Sequence, residues 1–172
     1  VQLGLDYGIN NEQGRPVRSE ALAIMDCAHQ HGIKSLDTAE AYGDSQSVIG
    51  QYCQGEDKFD IYSKFSTRDD QKNSFIGGLK ATLTALHMRK IKCYSFHSYS
   101  DLVRAHRMVP LWLKETGLTE LVGVSVYTDD EFEESMQYDQ IDVIQIPFNL
   151  LDCGPRKREL IDKGKNVGKI IH

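Results

Sequence analysis

Two periods of hydrophobicity alternate along this chain. Short runs of apolar and β-branched residues read as strands: VQLGLDYG, IKSLDTA, FDIYSKF, IKCYSFHS, ELVGVSVY, IDVIQIPF and VGKIIH. Between them, apolar residues recur at helical spacing. Leu22, Met25, Cys27 and Ala28 form one stripe, Phe75, Leu79, Leu83 and Leu86 a second, and Leu102, Ala105, Val109 and Leu113 a third. Thr128 followed by Glu131 has the form of a capping box, and Asp129, Asp130 and Glu131 suit the positive end of a helix dipole. The acidic run is therefore read as a solvated helix start, not as a metal site.

A βα unit repeated in steady succession predicts a parallel sheet with helices outside it. Seven strands, with no glycine-rich nucleotide fingerprint after the first, favour a closed β/α barrel over a doubly wound sheet. A complete eight-fold barrel takes about 250 residues. This chain has 172, opens in or near its first apolar run and ends at Ile171-His172 inside the seventh. The expectation is one α/β domain over residues 1–172: a (β/α)8 TIM barrel, present as an incomplete barrel of about seven strands, truncated at the C-terminus and open at its edges.

Composition narrows the function classes. With 40% hydrophobic and 26% charged residues the chain reads as a soluble globular protein, and a net charge of −5 argues against nucleic acid or an anionic membrane as the main partner. No apolar run approaches the roughly 20 residues that span a bilayer. Cys27, Cys53, Cys93 and Cys153 have no CxxC spacing, which points to buried reduced thiols and a cytoplasmic location. His29 and His31, two apart, would face different sides of a helix and make a poor ligand pair, so no metal is expected.

In a β/α barrel the chemistry collects at the C-terminal ends of the strands. Those ends carry Asp37 with Tyr42 just beyond it, then Lys64, His97, Ser125, Gln145 and Asn149. Neighbouring parallel strands lie about 5 Å apart, so these side chains converge. A tyrosine hydroxyl, with a reference pKa of about 10, is a slow proton donor at neutral pH. A nearby ammonium such as Lys64 stabilises the phenolate, and a carboxylate such as Asp37 keeps a buried lysine charged. An imidazole such as His97 can hydrogen-bond a substrate oxygen beside the tyrosine. Together the four make a site that protonates a carbonyl oxygen as negative charge develops on it.

On these residues the sequence resembles the aldo-keto reductase superfamily, from GLDYG through GIKSLDTAEAYGDSQSVIG, FDIYSKF, CYSFHS and LVGVSVY to DVIQIPFNLLD, and its opening looks similar to bacterial members. The resemblance implies a (β/α)8 barrel and NADPH-dependent reduction of an aldehyde or ketone, with NADH also open. It implies Tyr42 as general acid, Lys64 and Asp37 tuning it, and His97 orienting the carbonyl. Ser125 and Gln145 match contacts to the nicotinamide carboxamide, and Asp37 also belongs to the cofactor side of the site. Val126 stands where many members carry Asn, and Lys92 where many carry Asp. The segments that hold the pyrophosphate and the 2′-phosphate in the family come later than His172. Two other readings compete: a cofactor-binding regulatory protein on the same fold, and a Schiff-base lyase with Lys64 as nucleophile, which Asp37 opposes by keeping the lysine protonated. The partner expected is a small carbonyl compound.

Overall fold

The computed structural model describes residues 1–8, 10–66 and 72–172. Its elements run α1 (Arg18–Gln30), β1 (Ser35–Asp37), α2 (Ser45–Cys53), β2 (Asp60–Phe65), α3 (Lys72–Leu86), β3 (Ile91–Phe96), α4 (Tyr99–Arg104), α5 (Val109–Glu115), β4 (Thr119–Ser125), α6 (Asp129–Ser135), β5 (Val143–Gln145), α7 (Pro155–Asn166) and β6 (Ile170–Ile171). The sheet order follows the chain order, β1 to β6, and every pairing is parallel. This is an α/β fold whose six described strands form an incomplete (β/α)8 barrel.

The sheet is curled. Lys64 of β2 donates to Gln145 of β5 across 3.1 Å, whereas three strand spacings in a flat sheet would separate them by about 14 Å. The Tyr62 ring of β2 stacks on His172, just past β6, with centroids 4.8 Å apart. Alternation then sorts the side chains. Asp37, Tyr62, Lys64 and Gln145 face the concave side. Ile61, Phe65, Tyr94, Phe96, Val122, Val124 and Ile144 are buried in the outer layer with Phe75, Leu79 and Leu86 of α3 and Leu113 of α5. Phe65 is the hub there, stacked on Tyr94 at 4.4 Å and touching Phe75 and Phe96.

Six strands are described where seven were expected, because VQLGLDYG does not join the sheet. Its chain turns back at Gln2, whose carbonyl accepts from the Leu5 N–H. The segment instead lies on the loop after β1: the Val1 amine donates to the Asp37 carbonyl, and Leu3 is buried in the core. A Cβ on Gly4 would come within 2.3 Å of the Tyr42 carbonyl oxygen. VGKIIH does form a strand, two residues long.

The third apolar stripe is two helices, not one. Ala105 is extended (ψ 153°) and α5 starts again at Val109 with Pro110 in its first turn. Proline has no N–H for a helical bond to residue 106 and its ring would strike that residue's carbonyl, so one helix cannot run through. In α1 the buried face is Ala21 and Met25, and Cys27 is exposed because two residues on from Met25 is the far side of a helix. Cys53 and Cys93 are buried, and all four cysteines are free. Ile33, just before β1, is 47% exposed and not part of the buried strand.

The Thr128–Glu131 capping box forms, with both reciprocal bonds present. Its acidic turn receives Arg156 and Lys157 from the start of α7. Among the described residues no helix is long and apolar enough to cross a membrane.

Candidate active site

β1 delivers Asp37 as its last residue, and the ladder continues two steps further, Thr38 N–H to Tyr62 carbonyl at 2.8 Å and Glu40 N–H to Lys64 carbonyl at 2.9 Å. The chain then turns. Tyr42 N–H bonds the Ala39 carbonyl, Ser45 N–H bonds the Tyr42 carbonyl, and α2 begins. Gly43 has φ +59° and abuts the Gly4 backbone, so a side chain there would meet both strain and a collision. Asp44 anchors the end of the loop to Arg15 and Arg18 at 2.5 and 3.4 Å.

Lys64 is the centre of the cluster. Its ammonium lies 2.5 Å from Asp37 Oδ1 and 3.1 Å from Gln145 Oε1, with the side chain 6% exposed against 27% for Asp37. Gln145 Nε2 closes the triangle by donating to Asp37 Oδ2 at 3.2 Å. A buried ammonium without such acceptors would be driven to its neutral form. The same ammonium sits 5.7 Å above the Tyr42 ring centroid, within cation–π range.

His97 follows β3, its N–H bonded to the Phe65 carbonyl, and its ring meets the edge of Tyr42 at 5.9 Å and 89°. Burial first, and the Lys64 charge second, hold its imidazole below the usual histidine value. A neutral ring suits a hydrogen-bonding role. Among the described residues its Nδ1, which is buried, has no hydrogen-bond partner.

Asp37, Tyr42, Lys64, His97 and Gln145 thus gather at one end of the sheet. Ser125 ends β4 directly opposite Gln145 in the register, so a hydroxyl and a carboxamide stand side by side at the rim. That pair suits a planar amide with one donor and one acceptor, which is the recognition handle of a nicotinamide ring. Asn149 has a local role instead: its Oδ1 accepts from the Leu151 and Asp152 N–H groups and shapes the loop after β5. Val126 is buried, outside the polar cluster, and Lys92 pairs with Glu120 at 2.7 Å.

Three features were not anticipated. Tyr62 lines the concave side, which follows from its position two residues before Lys64. His172 comes within 3.9 Å of Asp37. Glu40, between Asp37 and Tyr42, reaches the outer layer and bonds Thr82 and Tyr94, and no sequence spacing announces that pairing.

A family model, aldo/keto reductase family, matches residues 3–170. Among solved structures, one assigned to the aldo-keto reductases from Pseudomonas aeruginosa superimposes with TM-score 0.80 at 23% identity, covering 99% of this chain and 68% of that one. An aldo-keto reductase from Bacillus halodurans, in its holo form, gives 0.76 at 21%, covering 90% and 56%. One from Klebsiella pneumoniae, in complex with NADP and acetate, gives 0.74 at 19%, again covering 90% and 56%. The chain therefore spans between 56% and 68% of the length of these structures. No curated protein matches it significantly. The family match over nearly the whole chain, on a parallel β/α sheet, establishes that the chain belongs to the aldo/keto reductase family.

Proposed function

We propose that the protein carrying this chain is an NADPH-dependent oxidoreductase that reduces an aldehyde or ketone to an alcohol, with Tyr42 as the general acid. The observation that carries this reading is the position of the Lys64 ammonium, paired with Asp37 at 2.5 Å and 5.7 Å from the Tyr42 ring. Ser125 and Gln145 would hold the carboxamide of a reduced nicotinamide, which when bound would supply the hydride for the carbonyl carbon. NADP in the Klebsiella pneumoniae relative supports that choice of cofactor.

Every other part falls to this chain's own residues. As charge builds on the carbonyl oxygen, the Tyr42 hydroxyl gives it a proton. The phenolate left behind is stabilised by the Lys64 ammonium, which Asp37 and Gln145 hold in place by accepting its hydrogen bonds. His97, neutral and held against the Tyr42 edge, donates a hydrogen bond to the same oxygen and fixes its direction. The lysine's two acceptors argue against a Schiff-base role, which needs a free amine.

The test uses the full gene product with NADPH and a panel of small aldehydes, following the reduced-nicotinamide absorbance beside the Tyr42→Phe variant. Removing a general acid is expected to lower kcat by about 10²- to 10⁴-fold with NADPH affinity retained. Tight NADPH binding without turnover in either protein would replace this reading with a regulatory one, and absence of NADPH binding would exclude both.

A further inference from the structure

Glu40 lies two residues before the tyrosine, and its side chain goes to the opposite side of the sheet. There Tyr94 of β3, fully buried, donates its hydroxyl to Glu40 Oε1, and the Thr82 hydroxyl of α3 donates to the same oxygen at 3.0 Å. The network continues inward. Gln46 of α2 donates from Nε2 to Ser63 of β2 at 2.8 Å and lies 3.5 Å from Thr82 Oγ1. Thr82, Ser63 and Gln46 are 2%, 1% and 8% exposed. These hydroxyl, amide and carboxylate groups lie in a layer otherwise filled by Phe65, Phe75 and Phe96. Polar groups in such a place cost free energy unless they satisfy one another, and when satisfied they define one geometry.

We propose that Glu40 is a positioning residue for Tyr42: it ties the loop after β1 to β3 and α3, so that the phenol is held at a fixed place over Lys64. This rests on the reading of Tyr42 as the proton donor. The backbone is held on the other side by the Glu40 N–H bond to the Lys64 carbonyl at 2.9 Å, so residue 40 is fixed at both main chain and side chain. Only Ala41 separates it from Tyr42. Misplacing a reacting group by about 1 Å can cost about 10²-fold in rate, so even a small release of this loop is expected to slow the reaction. Both hydroxyl donors converge on one Glu40 oxygen, which ties the loop to β3 and α3 at a single point.

The experiment compares the full protein with its Glu40→Ala, Glu40→Gln and Tyr94→Phe variants in two assays. Steady-state kinetics with NADPH and an aldehyde should show kcat reduced by about 10- to 100-fold in Glu40→Ala, KM for NADPH little changed, and part of kcat recovered in Glu40→Gln, whose amide oxygen still accepts from Tyr94 and Thr82. Hydrogen exchange should be faster across residues 38–45 in Glu40→Ala and Tyr94→Phe, with α7 unaffected. Tyr94→Phe keeps the ring stacked on Phe65, so it gives the answer even where Glu40→Ala does not fold. Unchanged protection of residues 38–45 in the variants would overturn the proposal. So would an unchanged kcat in Glu40→Ala, since the phenol would then keep its place without the anchor. If the wild type reduces no carbonyl, the reductase reading fails by itself, and hydrogen exchange alone decides whether Glu40 anchors the loop.

Discussion

Gly50 and Gly77 both sit inside helices, in α2 and α3, and the same substitution should move stability in opposite directions at the two. Replacing a mid-helix glycine by alanine recovers about 0.8–1 kcal/mol of backbone propensity. At Gly77 a Cβ would meet nothing within 4 Å, so the full gain is expected. At Gly50 it would lie 2.4 Å from the Ala85 carbonyl oxygen and 2.9 Å from Leu86 Cα. Those are backbone atoms of the facing helix and cannot swing aside. Relief requires α2 and α3 to separate, an overpacking cost of about 1–3 kcal/mol. Gly50→Ala should therefore lie between neutral and about 2 kcal/mol destabilised, the cost less the propensity gain. The propensity contribution cancels between the two variants, so their difference isolates the packing cost, about 1–3 kcal/mol. At about 2–4 °C per kcal/mol for a domain of this size, thermal melts followed by circular dichroism should separate the two by several degrees. A Gly50→Ala protein melting at or above Gly77→Ala would refute the claim that helix spacing is set by backbone contact at Gly50. The stakes reach the site, because α2 begins directly after the Tyr42 loop.

Two further outcomes follow from burial. The His97 imidazole is depressed below 6.5 by burial and then by Lys64, so its ring protons should titrate with a midpoint under 6.5 by NMR. The unfolded chain then binds the proton first, and stability is lost as pH falls from 6.5 toward the folded value. A His97→Gln variant should be spared that loss, and a midpoint at or above 6.5 would contradict the burial argument. Burial also pushes the Cys93 thiol up to about 12 and raises that of Cys53. A thiol-specific disulfide reagent at about pH 8 should modify exposed Cys27 first and half-buried Cys153 next, reaching Cys53 and Cys93 only in denaturant. Rapid reaction of Cys93 in the native protein would show that the concave side of the sheet is open beneath Lys64.

What this sequence determined by itself is the periodic part of the protein. Apolar runs and helical stripes are local, so the βα succession, the parallel sheet and the strand ends carrying Asp37, Lys64, His97 and Gln145 could be read directly. Pro110 also carried the break between α4 and α5, although the apolar stripe ran past it. Residues 1–8 misled, because β-like composition does not say whether a segment pairs or, as at Gly4, crosses another loop at backbone distance. The tertiary structure alone decided the rest. Curling brings Gln145 to Lys64 and Asp37 from 81 and 108 residues away, and the folded outer layer turns Glu40 toward Thr82 and Tyr94. Periodicity assigns a residue to a face, but only the packed sheet fixes which distant side chain meets it there.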